Sequence, residues 1–131
     1  MKKLIIVLFL TLLASTSFGQ IKSQSVIMND TVNVYKLYPT KNMWTFIKLN
    51  TSNGQMWQVQ FAINVEGKRR EEILSLSRLA YGNDAVSGRF ELYPTENMYN
   101  FILLDQVDGR TWQVQWSFDY MNRGILPIND Y

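Results

Sequence analysis

Residues 92–117 read LYPTENMYNFILLDQVDGRTWQVQWS, and residues 37–61 read LYPTKNMWTFIKLNTSNGQMWQVQF. The two stretches lie 55 positions apart and align without a gap. Over residues 35–61 and 90–116, they are identical at 14 of 27 positions. Internal repetition at such a period indicates duplicated supersecondary units. The fold is therefore expected to be built from two copies of one unit.

Each copy consists of apolar runs that are separated by turn signals. Proline ends the first run, because it cannot donate to a central ladder, and the short polar residues that follow are typical of a tight turn. A loop ending in Asn-Gly or Asp-Gly then separates two further runs, which is a strong short-range signal for a hairpin. These turn positions are Pro39, Thr40, Asn42 and Asn53-Gly54, with Pro94, Thr95, Asn97 and Asp108-Gly109 in the second copy.

A fourth run follows in both copies, as Ile73-Leu74-Ser75-Leu76 and as Ile125-Leu126-Pro127-Ile128. Residues 70–81 also fit a short helix, since Ile73, Leu76 and Ala80 have helical spacing. The proline in the second copy favours a strand over a helix.

The repeat predicts an all-β fold of two antiparallel meanders, packed as a pseudo-twofold sandwich or closed into a barrel. One meander has an apolar face that it cannot cover alone, and a second copy covers it. We expect a single all-β domain over residues 20–131, with repeat one at about 33–76 and repeat two at about 88–128.

The length of the hairpin loop decides which face of each meander is buried, since a slip of one residue exchanges the faces. A three-residue loop predicts that Leu49 lies opposite Trp57 and Ile47 opposite Val59. A two- or four-residue loop would instead bury Trp44 and Phe46. The three-residue register predicts a core of Met43, Ile47, Leu49, Trp57, Val59 and Phe61, with Met98, Ile102, Leu104, Trp112, Val114 and Trp116.

The opposite face is the candidate binding surface. Aromatic rings beside amides can recognise sugars or peptides, because rings stack and amides both donate and accept hydrogen bonds. The same alternation is typical of an ordinary half-buried strand whose rings are covered by other parts of the protein. The candidate residues are Trp44, Phe46, Gln58, Gln60, Tyr99, Phe101, Gln113 and Gln115.

The N-terminal stretch, residues 1–19, has the pattern of a secretory signal peptide: two lysines, an apolar run and small residues before Gln20. The apolar run is shorter than a membrane span, so no stable membrane anchor is predicted. Lys2 and Lys3 are two of the 13 cations, so removing this segment leaves eleven cations against eleven acidic residues. No nucleic-acid partner is expected, because phosphate binding needs a concentrated basic face. We expect a periplasmic or extracellular protein.

The sequence contains no cysteine and no histidine. Their absence excludes disulfides, thiol nucleophiles and histidine-based general-base machinery. No cofactor, metal site or catalytic residue is predicted, and the protein is expected not to be an enzyme. The remaining catalytic alternative is a small hydrolase with a carboxylate pair. Its candidates are Glu71, Glu72, Glu91, Asp105, Asp108 and Asp119.

The pattern LYPT-x-NM-x-x-FI-x-L, followed by Gly and WQVQ, resembles a repeat of small exported proteins of gut-type Bacteroidota. The resemblance covers about half of the chain after residue 19, in two blocks. It supports export, but it implies no catalytic or binding residues, because no activity is associated with that group. The sequence thus predicts an exported binding protein with a protein or glycan partner in the cell envelope. The alternative is a structural subunit that self-associates through exposed sheet edges.

Overall fold

The computed structural model describes residues 33–64 and 66–129. The predicted signal peptide lies outside them. Within them, two short 3₁₀ turns, Gly82–Asp84 and Tyr120–Asn122, are the helical elements. The strands are β1 (Tyr35–Pro39), β2 (Thr45–Asn50), β3 (Met56–Gln60), β4 (Arg70–Ser75), β5 (Phe90–Pro94), β6 (Asn100–Asp105), β7 (Thr111–Gln115) and β8 (Gly124–Ile128).

The strands form two four-stranded sheets, with orders β1-β2-β3-β4 and β5-β6-β7-β8. Every neighbouring pair is antiparallel. The predicted all-β class, the two meanders and the strand in residues 70–75 are therefore confirmed. The two units pack on each other as a sandwich, and their sheets do not close into a barrel.

The duplicated polar residues build the turn between the first two strands of each sheet. The Thr40 hydroxyl donates to the carbonyls of Asn42 and Thr45, at 3.0 and 2.8 Å. The Asn42 side-chain oxygen accepts from the Trp44 amide at 2.9 Å. Thr95 and Asn97 make the same bonds in the second sheet. These repeated residues are thus explained by turn formation.

The prediction of a three-residue hairpin loop was wrong, because the loop has four residues. Leu49 lies opposite Met56, and Ile47 lies opposite Gln58. The Asn50 amide donates to the Gln55 carbonyl at 2.8 Å, which encloses a four-residue loop. The reason is the side chain of Asn50, whose oxygen accepts from the Ser52 amide and so begins the loop one residue earlier.

Each sheet has two faces, which we call face A and face B, and a counterpart is the residue 55 positions later. Directly opposed residues on neighbouring strands share a face. Face A carries Tyr38, Ile47, Leu49, Met56 and Gln58, with counterparts Tyr93, Ile102, Leu104, Thr111 and Gln113. Face B carries Leu37, Phe46, Lys48, Trp57 and Val59, with counterparts Leu92, Phe101, Leu103, Trp112 and Val114.

The two sheets bury opposite faces. Tyr38 on face A is 7% exposed in the first sheet, whereas its counterpart Tyr93 is 46% exposed. On face B the order is reversed, since Leu37 is 55% exposed and Leu92 only 2%. The core therefore lies between face A of the first sheet and face B of the second.

This arrangement excludes the expected pseudo-twofold relation, because a twofold axis would bury the same face of both sheets. The units are instead stacked head to tail, in the same orientation. Contacts between counterparts support this relation. Lys36 pairs with Glu91 at 2.7 Å, and Lys41 lies 3.6 Å from the Glu96 carboxylate.

The predicted core is consequently confirmed only in part. Ile47, Leu49, Trp112, Val114 and Trp116 are buried and Met98 is half-buried, but Met43 and Phe61 are exposed. Trp57, Val59, Ile102 and Leu104 are half-buried on the outer faces, where only one side of the sheet is covered.

Candidate functional site

The eight predicted binding residues do not form one surface. Gln58 and Gln60 are buried on the inner face of the first sheet, and Phe101 is buried on the inner face of the second. Phe46 is half-buried on the outer face of the first sheet, whereas Gln113 and Gln115 lie on the outer face of the second. The head-to-tail stacking separates them, because each pair of counterparts faces opposite surroundings.

Trp44 and Gln60 come together at one end of the first sheet. They line an open cleft of about 550 Å³ between the LYPT turn, the end of β3 and the start of β4. Three kinds of side chain form its wall. The lining includes the rings of Trp44, Phe61 and Phe118, the amides of Asn42, Gln60 and Asn64, and the cations of Lys68 and Arg70.

The rings of the cleft are fixed by contacts with other rings. Trp44 and Phe61 meet edge to face, with centroids 5.3 Å apart. Phe118 comes from the second repeat and packs against Trp116 at 5.5 Å and 87°. Such contacts limit rotamer freedom, so the apolar wall is organised before any ligand arrives.

The polar side chains of the cleft include two cations, and hydrogen bonds hold some of these side chains in place. Arg70 donates from Nε to the Gln60 side-chain oxygen at 2.8 Å, and it also contacts Glu72 at 3.2 Å. Lys68 lines the same cleft, and no carboxylate lines it among the residues that the structure describes. The site therefore combines stacking surfaces with amides and cations, a chemistry that suits a sugar or peptide carrying an acid group.

At the equivalent position of the second repeat, the aromatic side chain is buried. Trp116 is the counterpart of Phe61 and is fully buried. Its indole nitrogen donates to the Met98 carbonyl at 2.8 Å, and its ring lies 5.1 Å from that of Tyr99. Trp116 is covered because its face of the second sheet is turned inward, whereas Phe61 lies on the outward face of the first sheet.

The candidate carboxylates are mostly engaged in structural ion pairs. Glu71 pairs with Lys48, Glu91 with Lys36, and Glu72 with Arg123. Asp119 accepts from the Met121 amide and begins the second 3₁₀ turn. None of these carboxylates lines the cleft.

Asp105 and Asp108 are the two candidates that share partners, namely Arg89 and Arg110. Burial by itself would raise the pKa of the Asp105 carboxyl. Hydrogen bonds from Arg89 and from the amides of Val107 and Asp108 outweigh it, so the pKa is lowered. A carboxyl held ionised in this way organises its loop and does not suit a general acid.

Sequence reasoning missed Phe61, Phe118, Lys68 and Arg70 as parts of one site. The run Lys68-Arg69-Arg70 has the pattern of a solvated loop, and Phe118 has no aromatic counterpart in the first repeat. One sequence signal does mark the place, because Phe61 and Trp116 differ in ring size within an otherwise repeated motif.

Over residues 33–64 and 66–129, no helix is long and apolar enough to cross a membrane. The same part of the chain contains no cluster of three or more acidic side chains placed to hold a metal ion. Comparison of the chain with protein-family models, curated proteins and solved structures finds no match.

Proposed function

We propose that this protein is an exported, non-enzymatic interaction protein that binds its partner through the aromatic cleft of the first repeat. Export rests on the signal-peptide pattern of residues 1–19 and on the resemblance to small exported proteins. The observation that carries the binding function is the cleft itself, in which three rings surround amides and two cations.

The chemistry of the wall indicates the class of ligand. Trp44 and Phe61 offer ring faces and edges to a sugar ring or an apolar side chain. Lys68 and Arg70 attract acid groups, although Glu72 neutralises part of the charge of Arg70. The ligand is a glycan or peptide segment that carries a carboxylate or another acid group.

The duplicated sequence supplies a matched control for this function. The purified protein is titrated with acidic and neutral oligosaccharides and with acidic peptides. Trp44→Ala is expected to weaken binding by about tenfold or more, since an anchoring ring commonly contributes 2 kcal/mol or more to an interface. Tyr99→Ala changes the counterpart, which does not line the cleft and reaches it only through Trp116 and Phe118, so its effect on binding is expected to be much smaller.

Lys68→Ala separates the electrostatic part from the stacking part. It is expected to reduce affinity for acidic ligands and to flatten the salt dependence, because one exposed cation is removed. Failure of the parent protein to bind any of the three ligand classes would reject the proposal. Equal losses in the Trp44 and Tyr99 variants, with both folded, would reject the cleft as the site.

A self-associating subunit is the second function that a specific observation favours. That observation is the apolar character of the two outer sheet faces. The hydrolase alternative is not retained as a proposal, because the two carboxylates that lie together share arginines and belong to a loop network.

A further inference from the structure

The outer face of the second sheet repeats four central residues of the surface that the first sheet buries, although Thr111 stands in place of Met56. Tyr93, Ile102, Leu104 and Gln113 repeat Tyr38, Ile47, Leu49 and Gln58 residue for residue. In the first sheet these four side chains are buried against face B of the second. The second sheet presents them outwards, so it carries an unused copy of the internal docking surface.

At two paired positions the outer row on β8 is more apolar than the buried row on β4, which in addition buries Leu74 at its bulge. Leu126 lies opposite Gln113, where β4 has Glu72 opposite Gln58. Ile128 lies opposite Thr111, where β4 has Ser75 opposite Met56. A face that contacts only water would be expected to be more polar than its buried equivalent at these positions. Exposed apolar patches instead mark interaction sites.

The outer face of the first sheet is the complementary surface. Leu37, Phe46, Trp57 and Val59 repeat Leu92, Phe101, Trp112 and Val114, which form the buried side of the second sheet. Other positions differ. Lys48 stands where the second sheet buries Leu103, and Tyr35 stands where it buries Phe90. Glu71 lies opposite Val59, where the second sheet has Ile125 opposite Val114.

We propose that the outer face of the second sheet docks on the outer face of the first sheet of another copy of this chain. The contact repeats the internal head-to-tail packing between chains. Because such an interface is heterologous, it leaves one free face at each end. It therefore continues into an open stack or closes into a ring.

Charges at the side of the sandwich favour a second copy as the occupant. Within one chain, Lys36 of the first sheet pairs with Glu91 of the second, and Lys41 lies beside Glu96. Stacking a further copy places its Lys36 beside Glu91 and its Lys41 beside Glu96. The stack thus alternates positive and negative side chains, whereas a like-charged residue in both repeats would repel.

A hydrogen bond between a backbone amide and a glutamine side chain links the two sheets, and the glutamine at the equivalent position of the second sheet faces outwards. The Ser117 amide donates to the Gln58 side-chain oxygen at 2.9 Å. In the proposed contact, Ala62 of the next copy takes the place of Ser117 and faces Gln113. The same geometry therefore supplies a polar bond that fixes the register between copies.

Lys48 makes the contact between chains weaker than the contact within one chain. Its ammonium group pairs with Glu71 and lies 4.8 Å above the Trp57 ring. Docking partly desolvates this charge, while the internal interface buries Leu103 at the same place and is also tethered by the chain. Reversible, concentration-dependent assembly follows.

Sedimentation velocity of the purified protein over a concentration series tests the contact. The mass is expected to rise beyond that of a dimer as concentration increases. Leu37→Glu blocks the outer face of the first sheet, and Leu104→Lys blocks that of the second. Each is expected to weaken association by about tenfold or more, because each buries a charge on docking.

An equimolar mixture of the two variants distinguishes head-to-tail stacking from a twofold dimer. Each variant alone stays monomeric, but each retains the face that the other lacks. The mixture is therefore expected to form a one-to-one dimer that grows no further. Val107→Lys, on an exposed loop tip away from both faces, controls for added charge and leaves assembly unchanged.

Three outcomes overturn the proposal. A parent protein that stays monomeric up to about 1 mM has these faces covered by its own chain or by water. Association that survives both variants runs through sheet edges. Association lost in only one variant is a symmetric dimer of one face. Leu37→Thr and Leu104→Thr replace the charged variants if circular dichroism shows that those do not fold.

Discussion

The two repeats share most of their sequence, yet they bury opposite sides of the same sheet. Ile47 and Ile102 are identical residues at equivalent positions, but only Ile47 is fully buried. Trp57 and Trp112 show the opposite order. The difference teaches that the meander has two faces able to form a core, and that its neighbour decides which one is used.

Substitutions at Lys48 and Leu103 are expected to give the largest difference in stability between the two repeats. Leu103→Lys is expected to destabilise the protein by about 4 kcal/mol or more, because an unpaired charge would replace a fully buried side chain. Lys48→Leu is expected to change the free energy of unfolding by about 1 kcal/mol or less, since that face is outward. Urea denaturation measures both, and similar losses would contradict the stacking.

Paired alanine substitutions sharpen the comparison at identical residues. Ile47→Ala is expected to cost about 3 kcal/mol and Ile102→Ala about 1, because only the first leaves a closed cavity. Trp112→Ala should likewise cost more than Trp57→Ala, so the sensitive repeat changes with the face. Denaturation at low protein concentration keeps self-association out of the measurement. A twofold sandwich would show equal costs within each pair.

The two hairpin loops provide a third comparison, between a charged and a neutral network. Asp105 is buried and accepts from Arg89, whereas its counterpart Asn50 accepts from Ser52. Asp105→Asn is expected to cost about 3 kcal/mol, because it removes the buried carboxylate that binds Arg89 and leaves Arg89 only the more distant Asp108, at 3.4 Å. Asn50→Ala removes turn hydrogen bonds and is expected to cost about 1 kcal/mol. Thermal unfolding of both variants at neutral pH gives the order.

The same carboxylate predicts an acid limit to stability. The pKa of Asp105 is lowered in the folded protein, so its contribution is present above the unfolded pKa of about 3.9. That contribution is lost as the pH falls through the folded pKa. The free energy of unfolding should fall less between pH 7 and pH 2 for Asp105→Asn than for the parent protein. An equal fall in both proteins would contradict this role.

Tyr38 gives the smallest effect, which is confined to alkaline pH. Burial raises the pKa of Tyr38 to about 12, because the charged phenolate is disfavoured inside the sandwich. Its contribution is full below the unfolded pKa of about 10 and is lost as the pH rises through the folded value. Tyr38→Phe should therefore reduce the loss of stability between pH 10 and 12, as measured by urea unfolding of both proteins at each pH.

Much of the local structure could be predicted from the sequence. Pro39, Thr40 and Asn42 end one strand and build a turn through bonds to nearby backbone, so their effect is local. The proline in Ile125-Leu126-Pro127-Ile128 correctly favoured a strand over a helix. The loop length could not be predicted, because it depends on whether Thr51 joins the strand or the loop, and the Asn50 side chain decides this by accepting from the Ser52 amide.

The candidate site was predicted less well, because its parts come from different places in the chain. Trp44 and Gln60 were among the predicted residues and do line the cleft, but Phe118 reaches it from the second repeat. Gln58 and Phe101 were expected on the same surface and are buried at the interface between the sheets. No local pattern reveals such a separation, since both repeats carry nearly the same alternation.

The sequence by itself determined two antiparallel meanders, their turns and their order, because strands and turns depend on residues close together in the chain. Only the tertiary structure decided which face of each meander is buried. Both faces carry enough apolar side chains to form a core, and the burial of each depends on the sheet that packs against it. Lys48 stands on the outward face of the first sheet, at the position where the second sheet buries Leu103, so this one difference agrees with the face that each sheet buries.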